Sequence, residues 1–109
     1  MVGYIAIDTA TAGPNTLVAA LSNKKIQVIQ YTINAVEDNS VTFLSNSTPM
    51  TGPMSFSASE SIVSVCAPST YQTMNALFET NSGEALVIDL LNATQVSGHL
   101  TYRIVDDTV

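Results

Sequence analysis

Polar and apolar positions in this chain alternate over short stretches separated by turn-forming residues, which is the pattern of β-strands. Residues 95–105 show it most clearly. Val96, Gly98, Leu100, Tyr102 and Ile104 fall on one face, and Gln95, Ser97, His99, Thr101 and Arg103 on the other. A helix would scatter those apolar residues around its circumference, whereas a half-buried strand lines them up. Residues 85–91 are more apolar, with Leu86, Ile88 and Leu90 on one side and Val87 and Leu91 on the other. Residues 25–34 change phase: Ile26 and Val28 share one face, while Ile29, Tyr31 and Ile33 share the opposite one. Either the strand is buried on both faces or a bulge shifts its register, and a two-faced central strand is the favoured reading.

Shorter strands are expected at residues 2–8, 16–21, 40–45, 54–58 and 61–65, and residues 77–79 open the last third of the chain. Val41 and Phe43 share a face of the 40–45 strand. Turn clusters lie between them: 11–15 (Thr-Ala-Gly-Pro-Asn), 22–24, the acidic 37–39, and 92–94. Asn81-Ser82-Gly83 reads as a tight turn with Gly83 at positive φ. Residues 46–53 hold two prolines and a glycine. Proline cannot donate to a central ladder, so this stretch reads as a loop with an edge segment. Residues 67–75 have weak periodicity and room for a helical turn. The sum is one all-β domain over residues 1–109, an antiparallel two-sheet sandwich of jelly-roll type with about eight short strands.

Composition sharpens this picture. Hydrophobic residues make up 46% and charged residues only 11%, too apolar and too weakly charged for a disordered chain. The polar surface must come from Ser, Thr, Asn and Gln. Neutral polar groups cost less to desolvate than charges and so suit a surface that meets other protein. The net charge is −6, with Lys24, Lys25 and Arg103 as the fixed cations. Neutralising phosphate takes several Lys or Arg side chains, which argues against nucleic acid and anionic lipid as partners. No apolar run approaches the ~20 residues of a membrane helix. The first residues lack the basic-then-apolar pattern of a secretory leader, so use without secretory export is expected.

Candidate chemistry is sparse. A Ser–His–Asp site requires a histidine within reach of both partners, and His99, the one histidine, reads as a surface or interface residue on a polar strand face. Glu79 and Glu84 flank the 81–83 turn, Asp89 follows in the next strand, and facing strands could pair such carboxylates for glycoside hydrolysis. No Trp is present to form a sugar platform, and solvated turn carboxylates are the plainer reading. Glu37-Asp38-Asn39 and Asp106-Asp107 are the acidic clusters. Neither fits the twelve-residue calcium loop, and a weak surface cation site is the most they offer. Cys66 is the single cysteine, which rules out an intrachain disulfide and a multi-cysteine metal site. It reads as a small buried hydrophobe. The tripeptides Asn46-Ser47-Thr48 and Asn92-Ala93-Thr94 match the glycosylation pattern but carry no weight without an export signal. No phosphate-cradling or dinucleotide motif occurs, and no cofactor or metal is expected.

Three segments resemble small β-sandwich virion proteins of tailed bacteriophages, of the capsid decoration (cement) or head-fibre type. TATAGPNTLV (residues 9–18) followed by KKIQVI (24–29) is similar to their opening pair of strands. VTFLSNST (41–48) with MTGP (50–53) is similar to their middle hairpin. FETNSGEALVI (78–88) with QVSGHLTY (95–102) is similar to their closing hairpin and is the most specific of the three. The resemblance implies a non-enzymatic structural protein on the outer capsid surface of a virion, made in the bacterial host cytoplasm. It implies a homotrimer bound to the major capsid protein. A tail, fibre or carbohydrate-binding adhesion module is the alternative. Contacts are expected first from residues 2–8 and the 46–53 loop, with Tyr4, Asn46, Thr48, Met50 and His99 at the capsid or subunit interface. For Tyr4 and Met50, ordinary core or edge packing is the competing and slightly favoured reading.

Overall fold

The alternating stretches become ten strands in the computed structural model, which describes residues 2–65 and 76–106. In chain order they are β1 (Val2–Thr9), β2 (Gly13–Val18), β3 (Lys24–Ala35), β4 (Asn39–Ser45) and β5 (Thr48–Pro49). β6 (Met54–Phe56), β7 (Glu60–Val65), β8 (Phe78–Glu79), β9 (Leu86–Leu90) and β10 (Val96–Asp106) follow. The expected helical turn in residues 67–75, Cys66 and Asp107 lie outside the described residues.

All pairings are antiparallel and build two sheets. The first has the order β1-β10-β3-β7, with β8 also on β3, and the second β2-β9-β4-β5, with β6 also on β4. β7 and β8 pair with successive stretches of β3, and β5 and β6 with opposite ends of β4. Each couple therefore fills one edge position. Counted this way, the eight positions run 1-8-3-6 in one sheet and 2-7-4-5 in the other, the jelly-roll order. Ten strands replace the expected eight or so because these edges are broken into short pieces.

The inward rows form one core between the sheets: Ile7, Ile26, Val28, Tyr31, Ile33, Val96 and Leu100 face Val41, Phe43, Leu86, Ile88 and Leu90. Three rings link the sheets. The centroids of Tyr31 and Phe43 are 5.1 Å apart, and those of Phe43 and Phe78 5.3 Å apart, the tilted geometry that aromatic quadrupoles favour.

The two-faced reading of β3 is corrected. Thr101 of β10 pairs with Gln30 of β3, yet the next residue, Tyr102, pairs with Val28. Ile29 is therefore an extra residue, a β-bulge. The bulge restores the phase, so Ile26 and Val28 before it and Tyr31, Ile33 and Ala35 after it all join the core. Gln27, Gln30, Thr32 and Asn34 are left on the outer face. Ile29 is buried but is not part of that core cluster.

The second strand also begins earlier than expected, at Gly13, and ends at Val18. Gly13 has φ 92°, and the Asn15 amide donates to the carbonyls of Thr11 and Gly13 while its oxygen accepts from Thr9. This local knot completes the turn within three residues, so pairing starts immediately. Pro14 then sits on an edge strand, where its missing N–H costs no ladder bond.

Gly98 is fixed by close approach. A Cβ at this position would lie 1.8 Å from the Thr32 carbonyl oxygen, and the residue has φ 148°. Glycine thus allows β10 to run between β1 and β3 at the centre of the first sheet.

Candidate interaction surface

The outer face of the first sheet is built on the two longest strands among the described residues, β3 and β10. Strand alternation and the register put four cross-strand rows on it. Asp8, Ser97, Asn34 and Ser61 form one row, and Ala6, His99, Thr32 and Val63 the next. Tyr4, Thr101 and Gln30 follow, and then Arg103, Gln27 and Glu79. Cross-strand pairs of this kind are what stabilise a sheet face.

Side chains lace these rows together. The Arg103 guanidinium donates to Gln27 Oε1 from both Nε and Nη2. Gln27 Nε2 in turn donates to Glu79 Oε1 at 2.9 Å, and Lys25 Nζ lies 3.2 Å from Glu79 Oε2. Thr101 donates to Gln30, Asn34 donates to Ser61, and Gln95 donates to both Asp8 and Ser97. The face is thus a lattice of hydroxyls and amides that also ties in Asp8 at one end and Arg103, Glu79 and Lys25 at the other. Tyr4 projects from it at 81% exposure and Val63 at 63%.

The expected interface residues divide between two places. Tyr4 and His99 lie on this face in neighbouring rows, on β1 and β10. Asn46, Thr48 and Met50 lie at the far edge of the second sheet. Asn46 has φ 51° and works as a clamp: its Oδ1 accepts from the Ala85 N–H at 2.8 Å, and its N–H donates to the Ala85 carbonyl at 2.9 Å. Thr48 is exposed opposite Ser45. Met50 donates its N–H to the Phe43 carbonyl, and its side chain packs on the core. Met50 packs on the core, whereas Tyr4 is exposed on the edge strand β1.

The carboxylates considered for hydrolysis are dispersed. Glu79 is engaged with Lys25 and Gln27 on the first sheet. Glu84 accepts from Ser45 Oγ at 2.6 Å and from the Asn81 amide. Asp89 is on the second sheet, opposite Pro14 and Thr42. The acidic 37–39 cluster is similarly occupied, with Asp38 accepting from the Ala58 N–H. The Asn39 amide donates to Asn92 and Thr94 and accepts from the backbone of Ser40 and Asn92. No group of three potential metal ligands and no cavity occurs among the described residues. At the C-terminal end of β10, Asp106 pairs with Lys24. The hydrogen bond from Lys24, reinforced by its charge, holds the Asp106 carboxyl below the ordinary aspartate value.

The row of Gln27, Gln30, Thr32 and Asn34 was not singled out in the sequence. Its signal was the set of polar positions left between the apolar residues of β3, legible only once the bulge is placed.

No protein-family model matches the chain, and no curated protein matches it. Among solved structures it is similar to an insecticidal delta-endotoxin from Bacillus thuringiensis, with a TM-score of 0.47 and 10% identity over 93% of this chain. The chain spans 19% of that toxin. It is also similar to a Bacillus endospore appendage protein of a disulfide-linked pilus family, with a TM-score of 0.45 and 15% identity over 99% of this chain and 88% of the other.

Proposed function

We propose that the protein is a structural virion component that acts by binding, a capsid decoration (cement) protein attached to the outer surface of a major capsid protein shell. The observation that carries this reading is the outer face of the first sheet. Its strands are hydrogen-bonded to one another through side chains, its middle rows are neutral, and Tyr4 stands out from them. Such a face loses little desolvation energy on docking, and tyrosine is enriched at interface centres. Many weak copies on one shell would give tight overall retention. The strand and turn segments that resemble phage decoration proteins support the same reading.

The test is shell binding by surface variants. Tyr4→Asp is expected to reduce binding to expanded, undecorated shells of the encoding virus by about tenfold or more, the scale of a lost interface anchor. Thr16→Asp, exposed on β2 of the second sheet, is expected to leave it unchanged. Equal binding by the two variants would refute this face as the docking surface. Glycan-array binding abolished by Tyr4→Asp, with no shell binding by the parent protein, would favour the adhesion alternative.

A further inference from the structure

The edges of the two sheets are guarded unequally. An open sheet edge presents unpaired N–H and C=O groups and is normally blunted by shortness, proline, charge or a bulge. β2 carries Pro14 and a register shift between Thr16 and Val18. β5, β6 and β8 have two, three and two residues. β7 has six residues and opens with Glu60. β1 is different: it has eight residues, no proline, one charge at Asp8, and unbroken register along β10 from Val2 to Thr9. Among the described residues, no strand pairs with its other side.

We propose that β1 pairs with β1 of a second copy, antiparallel about a twofold axis at Ile5, to join two first sheets into one. Three observations select this arrangement. The first is facing. Opposed residues in an antiparallel ladder point to the same side, so the core side of both copies stays in line only where the two residue numbers sum to an even value. Twofold axes at Ile5 or Ala6 then give the longest overlap, seven residue pairs each on the eight-residue strand.

The second is charge. With the axis at Ile5, Asp8 of one copy lies opposite Val2 of the other, in the same outer row as Arg103, which pairs with Val2. Two strand spacings, about 10 Å, separate the two backbones, a distance comparable to the Debye length at moderate ionic strength. With the axis at Ala6, Asp8 would face Tyr4 instead.

The third observation weighs against a head-to-tail alternative. Joining β1 to β7 of the next copy would pair at most six residues, against seven in the twofold arrangement.

The twofold contact uses backbone edges and leaves the outer face open. It closes at two copies, unlike the threefold assembly implied by the resemblance, and it is independent of a virion role.

Sedimentation velocity on the full chain from 1 to 200 µM (on the order of the range for weak symmetric dimers), with charge-swap variants, tests it. The parent protein is expected to dimerise. Asp8→Arg and Arg103→Glu should each weaken the dimer about threefold to tenfold, as expected for an exposed charge pair turned repulsive. The double swap should restore it. Circular dichroism of each variant verifies that it is folded. A monomer throughout, a trimer or filament, or a dimer indifferent to both swaps would overturn the proposal.

Discussion

Single positions decide whether the central strands can meet. Gly98 is the sharpest example, since any side chain there collides with the Thr32 carbonyl. Gly98→Ala is expected to lower stability by about 3 kcal/mol or more, the range for a forced backbone shift in a core. Urea denaturation of the variant measures it. Asp106 makes a smaller, pH-dependent contribution. Its carboxyl is held below 3.8 by the Lys24 hydrogen bond and charge, so the folded state binds its proton less tightly than the unfolded chain. The stabilisation is therefore present above the ordinary value and is lost as pH falls through the folded value. Carboxyl titration by NMR should show Asp106 with a midpoint below 3.8 that returns to about that value in Lys24→Met.

At the scale of the element, the sequence carried most of what periodicity can carry. The long alternation of β10, the apolar β9 and the Val41 and Phe43 face of β4 all appear where the pattern places them. The phase change in β3 was visible, but its cause was not, because burial on both faces and a bulge leave the same mark on one strand. Only the neighbouring strand separates them, through the pairing of Thr101 and Tyr102 with Gln30 and Val28. The polar residues that secure the turns were hidden for a related reason. Asn39 meets Thr94, and Thr80 Oγ1 accepts from the Ile26 N–H, across 55 and 54 residues of chain. Nothing local marks such partners. Deleting Ile29 leaves Val28 and Gln30 adjacent, opposite Tyr102 and Thr101, so a regular β3 keeps Ile26 and Val28 in the core. The expected loss is about 3 kcal/mol or less, from the buried Ile29 side chain, and thermal unfolding will register it. Failure of the variant to fold would show that the extra residue is needed to hold β3 in phase.

For the whole molecule, order and charge determine what can be presented to a partner. The jelly-roll order places β10 between the first and third strands in the chain, so the C-terminal alternation becomes the middle of the outer face. That face carries Asp8, Lys25, Glu79 and Arg103 among its amide and hydroxyl groups, and its apolar projections come from β1 and β7. Tyr4 and His99 could be assigned to polar or terminal strands from sequence. Their placement on one face could not, since it depends on the pairing of β1 with β10.

The most direct test of the proposed decoration role is a saturation titration of purified protein onto expanded, undecorated bacteriophage shells, read by co-sedimentation against unassembled capsid protein. The account predicts saturable binding at a fixed number of copies per shell and none to the unassembled subunit. Intact shells that retain no protein at any concentration would contradict the decoration role.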